Sequence, residues 1–228
     1  MSYLHNFLFG IYPYIAIAVF LLGSLVRFNR EPYTWKSDSS QLLRRGQLRL
    51  GNNLFHIGVL ALFGGHLFGL LTPKEVYHAI GLATATKQML AIIAGGVFGS
   101  MCFVGLILLV HRRLAEPRIR ATSKPMDIVI LLWLLATLLL GLCSIVVSLG
   151  HPDGSVMVQL AHWAQHIVTF QPDASSFIVD VNPIYKTHLV FGMTVFVLFP
   201  FSRLVHVWSG FATVRYVARA YQLVRARG

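Results

Sequence analysis

Cysteine and acidic side chains are scarce in this chain. Of its 228 residues only two are cysteine, Cys102 and Cys143, and only 8 are Asp or Glu. Both cysteines sit inside apolar runs. That placement argues against a disulfide framework, and their spacing fits no thiolate metal site or iron–sulfur cluster. The amino terminus has no basic segment ahead of its first apolar run and no small-residue cleavage site. This predicts that the first run is retained as a membrane helix rather than removed as a signal peptide. Internal repeats are absent. Water-loving surface is also lacking, since 56% of the residues are hydrophobic and the mean hydropathy is +0.67. A soluble domain is excluded, and a multi-span membrane protein is expected.

What is abundant is apolar length and positive charge. The formal net charge is +11. A charge of that size suits nucleic acid, but the basic residues lie in loops between apolar runs, which is the pattern of membrane topology. Five spans are predicted, at roughly Gly10–Phe28, Asn52–Leu71, Lys87–Val110, Met126–Leu149 and Pro183–Trp208. Pro13 falls in the first turn of span one, where a missing N–H does little harm. All but three of the 19 Lys and Arg lie in loop one, loop three or the carboxyl-terminal end. The exceptions are Lys74, Lys87 and Lys186. By the positive-inside rule loops one and three and the tail are cytoplasmic, and the amino terminus faces outward. The expected fold is therefore all-α: an integral membrane bundle of five transmembrane helices, forming a single domain over residues 1–228.

Histidine marks two of the spans. His56 and His66 lie on span two, and His188 and His206 on span five. Ionisable side chains are costly in a membrane span and are commonly held there by a ligand or partner. The two spans run antiparallel, so topology pairs His56 with His206 towards the inner side and His66 with His188 towards the outer side. A facing imidazole pair suits haem iron. No Cys-x-x-Cys-His occurs, so such a haem would be b-type, without thioether links. Ten residues of helix between His56 and His66 rise about 15 Å, while eighteen between His188 and His206 rise about 27 Å. The ten-residue step leaves its histidines about 80° apart, and the eighteen-residue step returns to the same face. A bend at Pro200, tilted helices and inclined haem planes would absorb the mismatch. Gly58, Gly64, Gly65, Gly69 and Gly192 suit the close approach of a flat macrocycle, or the close packing of helices.

The other histidines have plainer readings. His5, His78, His111 and His151 fall at ends or in loops. His162 and His166 share a face of a predicted amphipathic surface helix over Gly154–Phe170, with Met157, Leu160, Trp163 and Ile167 on one side. They lack a further ligand for a metal. The tail from about Ala212 mixes Arg with Val, Tyr and Leu, which suits the inner membrane surface or a cytoplasmic partner.

Several stretches together resemble the membrane cytochrome b (gamma) subunit of bacterial respiratory nitrate reductase. They are Ile11-Tyr-Pro-Tyr-Ile15, Asn53-Leu-Phe-His-Ile57, Gly65-His66, Leu71-Thr-Pro73, Lys87-Gln88, Trp163-Ala-Gln165, Pro200-Phe-Ser-Arg-Leu-Val-His206 and Tyr221-Gln-Leu-Val-Arg-Ala-Arg227. The resemblance runs over nearly the whole length. It implies two b haems, one held by His56 and His206 and the other by His66 and His188. It also implies quinol oxidation near the outer haem, with Lys87 at the head of span three and Gly65 beside the pocket. Electrons would pass from the outer to the inner haem. They would then enter a cytoplasmic iron–sulfur beta subunit and a molybdenum-containing alpha subunit that reduces nitrate to nitrite, at the bacterial cytoplasmic membrane. Loop two, from Lys74 to Thr86, departs most from the family pattern and bears on quinol choice. Lys87 reads equally as an interfacial anchor. Arg112, Arg113 and Arg203 read as partners of haem propionates or as topology signals. Two other functions fit the same residues: a dihaem subunit serving a different reductase, and a haem-free membrane anchor.

Overall fold

The computed structural model describes residues 2–31, 34 and 45–209. Lys36 and Arg44 of loop one, and the tail with Arg215, Arg219, Arg225 and Arg227, lie outside the described residues. The described residues are mostly helical, joined by short turns, with no strand among them. In chain order the helices are α1 (Tyr3–Asn6), α2 (Tyr12–Arg30), α3 (Arg45–Leu71), α4 (Lys74–Ala79), α5 (Thr84–Ala115), α6 (Pro117–Ala121), α7 (Pro125–Ser148), α8 (Ser155–Val168) and α9 (Pro183–Leu198). Five segments are long and apolar enough to cross a membrane: Tyr3–Arg30, Gly46–Leu71, Thr84–Ala115, Pro125–Ser148 and Pro183–Phe201. Their large apolar side chains point outward, with Leu22, Leu60, Phe68, Ile93 and Val146 all exposed. In water such a surface would aggregate, whereas in lipid it is the expected exterior. The chain is a multi-pass membrane protein.

The spans pack in the order α3, α5, α7, α9, α2. The tightest seam joins α3 to α5. A Cβ on Gly105 would collide with the Phe55 backbone nitrogen, and one on Gly58 would sit 2.8 Å from the Cys102 backbone. Only glycine allows backbones to approach so closely. Gly58 therefore serves helix packing. The α7–α9 seam is fixed by side chains instead. Trp133 stacks on Phe191 at 4.4 Å and its indole N–H donates to the Phe191 carbonyl at 3.0 Å. Ser148 and Tyr185 share a hydroxyl hydrogen bond of 2.7 Å.

Span one starts earlier than predicted and is not a uniform α-helix. A π-helical turn at Phe7–Ile11 joins α1 to α2. Pro13 cannot offer an N–H to the carbonyl four residues back, that of Phe9. The Trp163 indole donates to this carbonyl at 2.9 Å. The missing N–H is thus a docking point for α8, where the sequence suggested only a harmless gap. The helix predicted over Gly154–Phe170 forms as Ser155–Val168 and is more than a surface helix. Trp163 and Ile167 are buried in a cluster with Phe9, Ala16, Ile178 and Tyr185, which caps one end of the bundle. His166 beside Asp173 (2.8 Å) holds that exposed carboxyl below the usual carboxylate range.

Span five is the main departure from expectation. The sequence predicts one helix over Pro183–Trp208, bent at Pro200. The α-helix ends at Leu198, a 3-10 turn covers Phe199–Phe201, and Ser202 is extended. A second 3-10 turn, Arg203–Trp208, restarts with Ser202 as its cap. Proline accounts for the break and the serine cap for the restart. The Arg27 guanidinium donates to the carbonyls of Pro200 at 2.7 Å and Ser202 at 2.8 Å, so the opened backbone is satisfied.

If the α3–α5 approach supports the bundle as described, Gly105→Ala should cost about 1–3 kcal/mol of stability through overpacking. The check is the thermal unfolding midpoint in lipid nanodiscs. A midpoint equal to the parent's would contradict the close approach.

Candidate functional site: two imidazole pairs between α3 and α9

Helices α3 and α9 are not among the closely packed pairs of the bundle. They face each other through histidine rings. His66 and His188 have ring centroids 6.0 Å apart, at the end capped by α8. His56 and His206 have theirs 6.1 Å apart, at the other end. The expected pairing by antiparallel order is the observed one. The break after Leu198 re-aims the segment that carries His206, which lies in a 3-10 turn rather than on α9.

All four rings are held through Nδ1, each by a backbone carbonyl. Nδ1 of His56 bonds the Asn52 carbonyl at 2.8 Å, and Nδ1 of His66 bonds that of Leu62 at 2.7 Å. Nδ1 of His188 bonds the Thr137 carbonyl at 3.0 Å, and Nδ1 of His206 that of Arg203 at 2.6 Å. A carbonyl only accepts, so each Nδ1 carries the proton and each neutral ring keeps a lone pair on Nε2. This is the usual arrangement of metal-ligating histidine. Two metal–nitrogen bonds of about 2 Å, plus roughly 1 Å from each nitrogen to its ring centre, span about 6 Å. The centroid distances therefore suit one metal ion between each pair.

A bare ion needs more ligands than two imidazoles. Among the described residues no cluster of three or more His, Cys, Asp or Glu could hold one. A pair does suit an iron that brings four equatorial nitrogens in its own macrocycle. Around Gly64, Gly65, Gly69 and Gly192 a Cβ would meet nothing within 4 Å, so backbone is open to a flat group there. The ring spacing and Nδ1 bonding fit a haem at each pair, and the open glycine backbone adds to that fit at the His66–His188 end. A haem held by two imidazoles would be suited to electron transfer rather than to binding a further ligand.

Lys87 lies in the first turns of α5, at the His66–His188 end. Its Nζ donates to the Gly69 carbonyl at 2.9 Å and sits 4.1 Å over the Tyr77 ring. Gln165 donates to the neighbouring Leu70 carbonyl at 3.0 Å. Together they cap the last turn of α3, which ends without its own N–H donors. Gly65 is one turn back from Gly69 and is exposed. A shallow cavity of about 330 Å³ lies one turn before Lys87, lined by His78, Gly81, Leu82, Ala83 and Thr84. His162 and His166 both lie against Phe177, and His166 is engaged by Asp173.

The chain matches the family model described as nitrate reductase gamma subunit over residues 5–227. The chain belongs to that family. It is 51% identical over 227 residues to the respiratory nitrate reductase 1 gamma chain of Escherichia coli (strain K12), covering 100% of both chains. It is 48% identical to the respiratory nitrate reductase 2 gamma chain of the same organism, over 100% of this chain and 99% of that one. It is 38% identical to the nitrate reductase gamma chain of Bacillus subtilis (strain 168), over 96% and 97% respectively. As a family member it is the membrane gamma subunit of a respiratory nitrate reductase, an oxidoreductase complex, and associates with the other subunits of that enzyme.

Three residues of this gamma-family site carry little signal in the sequence. Thr137 and Gly141 of α7 meet His188, and the only sequence signal was a lone glycine inside a run of leucines. The third is Asp127, buried at the end of the bundle opposite α8. Its carboxylate lies 3.3 Å from Arg113 and 3.0 Å from Arg203, and also accepts from the Lys124 N–H at 3.2 Å. Arg113 and Arg203, which the sequence offers as haem-propionate partners or as topology signals, are both engaged by Asp127. Through Arg203, whose carbonyl receives the His206 Nδ1–H, the triad reaches the imidazole. An acidic residue near the start of an otherwise apolar span was the available signal.

Asp127→Ala would leave two guanidinium groups facing each other in a buried position, a loss on the order of 3–5 kcal/mol. Thermal unfolding should show a large drop in midpoint. Asp127→Asn should fall between the two, since it keeps the cap on Lys124 without the charge.

Proposed function

We propose that this chain is the quinol-oxidising, electron-conducting subunit of its nitrate reductase. It would bind two b haems, one through His56 and His206 and one through His66 and His188. The observation that carries the reading is the pair of imidazole pairs, each about 6 Å across and each with its protons on Nδ1. When bound, such haems supply reversible one-electron transfer. The protein's own part is to fix the tautomers and hold the rings facing one another between two apolar spans.

Quinol is assigned to the His66–His188 end, where Lys87 and Gly65 lie. Lysine has three N–H donors, so Lys87 can hold Gly69 and still offer one to a quinol oxygen. The bias of Lys and Arg supports placing this end outward, so that protons from quinol leave on the outer side. The end with Arg112, Arg113, Arg118, Arg120 and Lys124 would face the cytoplasm. It would deliver electrons there to an iron–sulfur beta subunit and a molybdenum alpha subunit, which reduce nitrate to nitrite. The membrane would be the bacterial cytoplasmic membrane, and the chain a single embedded domain.

The test is a redox-difference spectrum with haem quantitation on the purified complex and on His66→Ala and His56→Ala. Two b haems per chain are expected, with a different one lost in each variant. A haem-free, properly folded parent would leave only an anchor. Lys87→Ala should weaken a quinol-site inhibitor and slow quinol oxidation about tenfold or more, the usual scale for a charge-assisted hydrogen bond. Unchanged rate and inhibitor affinity would remove Lys87 from the site.

A further inference from the structure

His188 differs from the other three histidines in what holds it. His56, His66 and His206 bond carbonyls one turn back in their own segments. His188 bonds the carbonyl of Thr137, on a different helix. Inside an α-helix that carbonyl also accepts the N–H of the residue four further on. For Thr137 this residue is Gly141. A side chain there would lie beside the Thr137 oxygen and obstruct a second donor. A Cβ built on Gly141 would stand 3.0 Å from Cε1, 3.5 Å from Nε2 and 3.6 Å from Nδ1 of His188. The imidazole thus lies over the place where a side chain would be. The contacts on either side leave little freedom to shift, because Trp133 is pinned to Phe191 and Ser148 to Tyr185. The Thr137 hydroxyl is itself turned back to the Trp133 carbonyl at 2.8 Å.

We propose that Gly141 is a positioning residue for one of the two haem sites. By having no side chain it lets the His188 imidazole lie against α7 and donate to the Thr137 carbonyl, which sets the tautomer and the ring plane of that ligand. The inference rests on the proposed ligation by His188. Orientation matters because the two pairs differ in it: the ring planes meet at 45° for His66 and His188, and at 66° for His56 and His206. Ring plane and hydrogen bonding of an axial imidazole tune the iron it binds.

The experiment uses the purified complex and measures haem content and the midpoint potential of each haem. The variants are Gly141→Ala, Gly141→Leu, His188→Ala and a packing control, Gly95→Ala. In the control a Cβ would press on the same helix, 3.2 Å from Ile145, away from any imidazole. Gly141→Ala should keep both haems and shift the potential of one, the haem that His188→Ala removes. Gly141→Leu should lose that haem and keep the other. Gly95→Ala should match the parent at both. The proposal is overturned if Gly141→Ala leaves both potentials unchanged, or if Gly95→Ala shifts the same haem as far. It is also overturned if both potentials move together. The alanine variant decides the matter if the leucine variant does not fold. Loss of one haem in His188→Ala with no response to Gly141→Ala would sink the positioning role alone. Retention of both haems in His188→Ala would sink the ligation reading with it.

Discussion

Inside a bilayer a backbone carbonyl that loses its helical N–H has no water to turn to. The rest of this structure depends on how that constraint is met. Pro13 strands the Phe9 carbonyl, and the Trp163 indole takes it. The break at Pro200 opens two carbonyls, and Arg27 takes both. The last turn of α3 is closed by Lys87 and Gln165. Each of these bonds also joins distant parts of the chain. The irregular places in the helices are therefore the places where the bundle is stitched together.

The four histidines use the same currency. Each spends its Nδ1 proton on a carbonyl and so keeps Nε2 free to face its partner. An imidazole left without such a bond would be free to rotate or to change tautomer, and a pair separated by about 6 Å would lose its alignment. The two ends are secured differently. The His66–His188 end is fixed by α7 through Thr137 and by the cap that α8 places over the bundle. The His56–His206 end hangs on a short 3-10 turn, which Arg203 ties to Asp127. That turn needs the tie because it has left the regular helix.

Much of this was legible in the residues, and what was not has a common character. The spans were readable because hydropathy is a property of adjacent residues. The histidine pairing was readable because antiparallel order fixes it. Pro200 advertised a bend, but the carbonyls of Pro200 and Ser202 that the break opens are satisfied by Arg27, which lies far back in the chain. Gly58 and Gly65 looked alike in the sequence. One packs against Cys102 and the other faces open space, and only the position of α5 separates them. Asp127 is the one acidic residue of its span, but nothing in the sequence shows that its two arginine partners come from α5 and from the turn after α9. The residues around Lys87 suggest a quinol ligand or an anchor, and they give no sign of the bond to Gly69 that makes it a helix cap.

By itself the sequence determined an all-helical membrane protein with five spans, the spans that carry paired histidines, and its likeness to the nitrate reductase gamma subunits. These follow from residue type, spacing and order along the chain. The tertiary structure decided which carbonyl orients each imidazole, that Gly141 makes room for His188, and that Asp127 gathers Arg113 and Arg203. Such relations join residues on different helices, and their geometry is set only when the helices pack. No periodicity within a single helix encodes which face its neighbour will present.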